Sequence, residues 1–172
     1  MRAFKLMVTV FLIISTFVSS YSQVKTDLLK KIQAINSDTK LKKVTLDNDE
    51  FLENVPDGGC QLIGYYKKDS LIKMTEWIGL SYGNRIREFY FKNNKLFFLY
   101  EKFESFIRNN NTNEPDLTKT KITFEGRYYF NSLKLIDQKV SGRRRFQEKN
   151  LDIAIDLLEE AKEDYRILNL KK

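Results

Sequence analysis

The side chains available for acid–base or nucleophilic chemistry are a restricted set: 23 Asp and Glu, 30 Lys and Arg, nine Tyr, one Cys and no His. Without His there is no His-bearing triad and no His-ligated metal, so a catalytic base would have to be a carboxylate, a Lys or a Tyr. Two carboxylates flanking a glycosidic bond can hydrolyse it. The candidates are Glu76, Glu88, Glu101, Glu104 and Glu125, all on or beside expected strands. No fixed spacing pairs any two of them, and the plainer expectation for each is a solvated charge on a strand surface or edge. Asp47-Asn48-Asp49-Glu50 starts like a calcium loop, but Phe51 takes the next oxygen position and no bidentate Glu follows. The seven Gly are scattered and form no phosphate-binding loop. Cys60 has no base near it in sequence and reads as a small buried hydrophobe. No metal and no cofactor is expected.

Binding chemistry is better represented. Tyr65, Tyr90 and Tyr129 each stand one place before an anchoring aromatic (Tyr66, Phe91, Phe130), so they fall on the opposite face of an expected sheet. Tyr combines apolar area with a hydrogen-bonding tip, and a row of three among Lys and Arg suits a carbohydrate ring, a peptide or a partner protein. The plainer alternative is cross-strand packing, since strands favour Tyr in any case. Arg143-Arg144-Arg145 lies in a basic turn and could meet phosphate or an anionic glycan, or simply be solvated.

The elements that must position these groups follow from periodicity. Residues 24–36 place Leu28, Leu29, Ile32 and Ile35 on one face of a short N-terminal helix. Lys42–Leu46 alternates weakly, as a short edge strand would. From residue 60 to residue 140 three segments repeat one design, an aromatic run, a polar link and an apolar run: IGYYKKDSLIKM, EFYFKNNKLFFLY and RYYFNSLKLIDQ. Each reads as a hairpin. A two-residue loop at Asn93-Asn94 would pair Phe91 with Leu96 and Phe89 with Phe98, leaving Tyr90 and Phe97 on the other face. Ser132-Leu133 is poor turn chemistry, which argues for a longer loop in the third hairpin. Residues 149–168 carry a stripe of Leu151, Ala154, Ile155, Leu158, Ala161, Tyr165 and Leu168, with Asp152, Asp156, Glu159, Glu160 and Glu163 opposite and Asn150 as N-cap. The expected fold is therefore α+β: an antiparallel meander of about six strands in three hairpins, a short N-terminal helix, and a C-terminal amphipathic helix packed on one face.

The first residues have the layout of a cleaved signal peptide. Arg2 and Lys5 precede the apolar run Leu6–Val18, and small residues precede a cleavage point after Ser22. The expected organisation is a signal peptide over residues 1–22 and a single α+β domain over residues 23–172, exported to the periplasm or secreted, with no stable membrane anchor after cleavage. Removing residues 1–22 takes away Arg2, Lys5 and no acid, so the net charge falls from +7 to +5. That mild excess favours anionic partners weakly and is no nucleic-acid footprint.

The segment Gly58-Gly59-x-x-x-x-Gly64-Tyr65-Tyr66, followed by hairpins of the form YYF-x-x-x-K-L, resembles uncharacterised exported bacterial proteins of similar size across residues 46–138. The hairpins are also similar to tandem YY-x-N-G-x-L repeats of bacterial repeat proteins, although no Gly occupies the turns here. Neither resemblance implies an activity or a site residue. Two functions follow as expectations. One is a non-catalytic exported binding or interaction protein of the bacterial cell envelope with a protein or glycan partner. The alternative is a small carboxylate-dependent hydrolase acting on an envelope or extracellular glycan.

Overall fold

The computed structural model describes residues 26–109, 112–145 and 152–171. The signal-peptide residues 1–22, together with Asn150 and Leu151, lie outside the described residues. The chain divides into two compact units, residues 1–39 and Lys40–Lys172, a division that falls inside the span expected as one domain. The first unit holds helix α1 over residues 26–37, in which Leu28, Ile32 and Ile35 are half-buried and Leu29 is exposed. Among the described residues no helix is long and apolar enough to cross a membrane.

The second unit runs β1 (Lys42–Asp47), a 3-10 turn (Asn48–Glu50), β2 (Cys60–Lys67), β3 (Ser70–Leu80), β4 (Gly83–Lys92), β5 (Lys95–Arg108), β6 (Pro115–Asn131), β7 (Lys134–Gly142) and helix α2 (Ile153–Leu170). The seven strands form one antiparallel sheet in sequential order, a meander with α2 on one face. The strand beyond the expected six is β1, which pairs with β2 along its whole length, from Lys42 opposite Tyr66 to Asp47 opposite Gln61.

All three aromatic hairpins close with two-residue loops, since Lys67 faces Ser70, Lys92 faces Lys95 and Asn131 faces Lys134. Asn93 and Asn94 take the left-handed conformation such loops require, at φ 51° and 59°. The third loop is equally tight, contrary to the expectation from its chemistry: Ser132 and Leu133 sit at φ 47° and 66°. Strand pairing on both sides imposes this geometry on residues that disfavour it. Two residue pairs past each loop the register then slips. Tyr66 faces Leu71 but Tyr65 faces Lys73; Phe91 faces Leu96 but Tyr90 faces Phe98; Phe130 faces Leu135 but Tyr129 faces Asp137. Ile72, Phe97 and Ile136 are the extra residues of three equivalent bulges. The slip overturns the expected pairing of Phe89 with Phe98. Phe89 faces Leu99 instead, and Phe98 joins Tyr90 on the second face.

The helix-covered face carries the core. One row across it reads Val44, Gly64, Met74, Phe89, Leu99 and Tyr128, and Tyr66, Leu71, Phe91, Leu96 and Phe130 extend it toward the hairpin turns. The GG-x-x-x-x-GYY segment has a packing reason here. Gly58 donates its N–H to the Gly79 carbonyl at 3.1 Å, and a Cβ on Gly58 would stand 2.7 Å from the Gly79 backbone. Gly64 lets Leu168 of α2 settle on β2, with its methyl carbons 3.1–3.2 Å from where a Cβ would be.

Helix α2 starts at Asp152, whose side chain accepts the Ala154 N–H at 2.9 Å. Its buried residues are Leu157, Ala161, Asp164 and Leu168. The stripe is therefore rotated from the expected one: Ile155 is 50% exposed, Leu158 and Tyr165 are half-buried, and Asp156 and Glu160 turn toward the sheet. The physical reason is the charge on the sheet face, described below.

Leu157→Ala should cost about 2–5 kcal/mol in urea unfolding, as for a fully buried Leu, while Ile155→Ala stays within about 0.5 kcal/mol of the parent. Equal effects at the two positions would reject this helix orientation. Replacing Ser132-Leu133 with Asn-Gly should relieve left-handed strain of about 1 kcal/mol and raise the melting temperature by about 2–5 °C. An unchanged or lowered melting temperature would show that the loop carries no strain.

Candidate functional site

The densest collection of chemically capable side chains lies between the sheet and α2. Glu76 on β3, Arg87 on β4 and Glu101 on β5 stand opposite one another in one cross-strand row, with Gly126 next to Glu101 on β6. Their side chains are 1%, 2% and 2% exposed, so these Glu are not the solvated strand charges expected of them. Arg87 donates through Nε to Glu76 Oε1 at 3.0 Å and through its terminal nitrogens to Glu76 Oε2 and to Glu160 of α2. Arg85 donates to Glu76 Oε1 at 3.1 Å and reaches Glu160 at 3.9 Å. Arg144, in the segment after β7, donates to Glu101 Oε2 at 2.9 Å and to Asp156 Oδ2 at 2.6 Å, and its Nη2 lies 3.5 Å from Glu160. Asp164 completes the group at 7% exposure, with no hydrogen-bond partner for Oδ2.

Five carboxyl groups thus share three guanidiniums, and two of them, Glu76 and Asp164, shift in opposite directions. Burial pushes the Glu76 carboxyl up, but Arg87 and then Arg85 outweigh it and hold Glu76 below the usual carboxylate range. Burial lifts Asp164 to about 8, with the Glu76 charge adding to the rise and Arg87 only partly opposing it. Asp164 therefore carries its proton at neutral pH, and the negative excess is reduced by one. A carboxylate held ionised by two arginines is a poor general acid, and a protonated one sealed under a helix has no open route to substrate. The arrangement is an electrostatic clamp on α2.

The structure disperses the expected binding residues. Tyr65, Tyr90 and Tyr129 do share one face and one row, which reads Lys43, Tyr65, Lys73, Tyr90, Phe98, Tyr129 and Asp137 across all seven strands. They do not present an open surface: Tyr90 is 0% and Tyr129 6% exposed, and only Tyr65 is half-open. The Tyr90 hydroxyl donates to Glu88 at 2.6 Å, and Phe98 packs at a tilt between the Tyr90 and Tyr129 rings, with centroids 5.6 and 5.1 Å away. Lys73 bonds Glu88 at 3.2 Å and lies over the rings of both Tyr65 and Tyr90. Of the basic turn, Arg144 is buried in the clamp, Arg145 lies over the Tyr82 and Phe103 rings at 5.4 and 5.1 Å, and Arg143 is exposed. Arg143 lines a cleft of about 560 Å³ with Tyr128, Gln138 and Val140. Glu88, Glu104 and Glu125 pair with Lys73, Lys102 and Arg127. Cys60 is buried and free, its thiol 3.6 Å from the Asn48 carbonyl and its pKa raised chiefly by burial. Among the described residues no group of three or more Cys, Asp and Glu side chains is arranged to hold a metal ion.

No protein-family model matches this chain, and comparisons with curated proteins and with solved structures return no significant match.

The clamp fixes a pH signature. Stability contributed by ionised Glu76 is present above the ordinary Glu value and lost as pH falls through its depressed one. The Asp164 contribution has the opposite sign: it is complete below the ordinary Asp value of about 3.9 and is lost as pH rises through about 8. Asp164→Asn should therefore gain on the parent from about pH 4 to about pH 8 and run parallel to it above that. Glu76→Gln, which leaves Arg85 and Arg87 short of a counter-charge, should cost about 3–5 kcal/mol at pH 7. Stability–pH curves for the parent and Asp164→Asn that are parallel throughout would contradict this assignment.

Proposed function

We propose that this chain is a non-catalytic binding or interaction module, exported to the bacterial cell envelope or beyond it. One observation carries the reading: the groups best suited to acid–base work, Glu76, Glu101, Asp164 and the arginines around them, are committed to each other in docking α2. What remains open is recognition surface, with the exposed Arg143 at its cleft and the half-open Tyr65 flanked by Lys43 and Lys73. Cation-flanked aromatic rings and an exposed guanidinium suit an anionic glycan or an acidic protein face. The n/h/c layout of residues 1–22 supports export, and the net charge of +5 after cleavage supports an anionic partner.

Immobilised protein should retain a defined protein or glycan fraction from an envelope extract, identified by mass spectrometry. Tyr65→Ser and Arg143→Ser should each weaken that capture at least ten-fold while leaving the thermal melt unchanged. A glycan-hydrolysing activity that disappears in folded Glu76→Gln and Glu101→Gln variants would overturn the reading in favour of the hydrolase.

A further inference from the structure

Strand β7 ends the sheet, and seven of its nine residues are exposed. Sheet edges normally carry guards against further pairing, such as lysines and short length. The opposite edge, β1, fits that description: it has six residues, opens on Lys42 and Lys43, and has no exposed large apolar side chain. Strand β7 also carries lysines, Lys134 and Lys139, but it is nine residues long and exposes Ile136 at 51% and Val140 at 46%.

Its order of residues is also self-complementary. A two-fold axis perpendicular to the sheet would pair β7 antiparallel with a second β7 and return each sheet face to itself. Opposed residues must then share a face, so the axis has to pass through a residue position. Placed at Gln138, the middle of the strand, it sets Asp137 opposite Lys139 twice. Asp137 and Lys139 belong to the second face, opposite Tyr129 and Arg127 of β6, so the charges meet on one side of the joint. Moving the axis one residue toward either end sets Asp137 or Lys139 against its own copy, where like charges oppose pairing.

We propose that β7 is a self-association edge, and that two copies of this chain join through it in the register centred on Gln138. This stands independently of the binding function above. A joint of nine residues buries less than a standard-size interface, so self-association falls on the order of 10–100 µM.

The test is a charge swap read by sedimentation equilibrium. The protein, purified as the cell processes it, should dimerise reversibly. Asp137→Lys and Lys139→Asp should each weaken self-association at least ten-fold, because each sets like charges opposite one another twice. Mixing these two variants should restore a dimer, since the two lysines of the first variant then stand opposite the two aspartates of the second. The double variant carrying both changes should dimerise like the parent. Matching far-ultraviolet circular dichroism across the set confirms that all fold. A parent protein monomeric at several hundred micromolar, single variants that dimerise undiminished, or a mixture that stays monomeric would each overturn the proposal. A parent that stays monomeric yet captures extended peptides along β7 would do so as well.

Discussion

Two arginines with almost no contact with water, Arg87 and Arg144, constrain the rest of this structure. A guanidinium in such a place needs a carboxylate on every side, because an unpaired buried charge costs several kcal/mol. The sheet supplies half of the partners, Glu76 and Glu101, from strands flanking Arg87. Helix α2 must supply the rest, and it does so through Asp156 and Glu160, one turn apart, with Asp164 one turn further on. That requirement sets the rotation of the helix. Apolar burial alone would accept Ile155 or Leu158 against the sheet. Charge pairing selects the face with Leu157, Ala161 and Leu168, which brings the acids with it. Such clamps add little net stability over a well-packed apolar core. Their effect here is to specify one docking angle among several that the helix's broad apolar stripe would permit.

The second constraint is the bulge that follows each hairpin loop. A one-residue slip in a strand sends every later side chain to the other face. Because Ile72, Phe97 and Ile136 occupy equivalent positions, the slip is made three times in the same sense, and the rows beyond it stay in line across the sheet. The row from Lys43 to Asp137 and the charged row from Glu76 to Glu101 both exist because of this repetition. The aromatics of the repeat thereby serve both faces: Tyr66, Phe91 and Phe130 under α2, and Tyr65, Tyr90 and Tyr129 on the other side.

The hairpins were legible in the sequence because aromatic run, polar link and apolar run leave a pattern at fixed spacing. The short loop at Asn93-Asn94 was legible from residue type. The bulges were not, since nothing in the residues around Phe97 distinguishes an extra position from a regular one; the slip is decided by strand twist and pairing. Helix α2 was legible as a helix, but its orientation was not. Counting apolar residues placed Asp156 and Glu160 in solvent, because the arginines they meet come from β4 and from the segment after β7, far away in sequence. The burial of Arg144, in a basic turn expected either to meet an anion or to be solvated, is hidden from the sequence for the same reason. The signal available was the i, i+4, i+8 spacing of Asp156, Glu160 and Asp164 beside Leu157, Ala161 and Leu168, together with Glu76, Arg87 and Glu101 at inward positions of otherwise apolar strands. Polar residues at core parity on both partners point to pairing between them.

The central claim, that charge pairing between sheet and helix sets the docking of α2, is tested most directly by a double-mutant cycle on Arg87 and Glu160. Urea unfolding of the parent, Arg87→Met, Glu160→Gln and the double variant isolates their interaction energy. A clamp of the kind described here predicts a coupling above about 1 kcal/mol, with the double variant less damaged than the sum of the singles. Additivity within about 0.5 kcal/mol would mean that the two residues act independently and that apolar packing alone orients the helix.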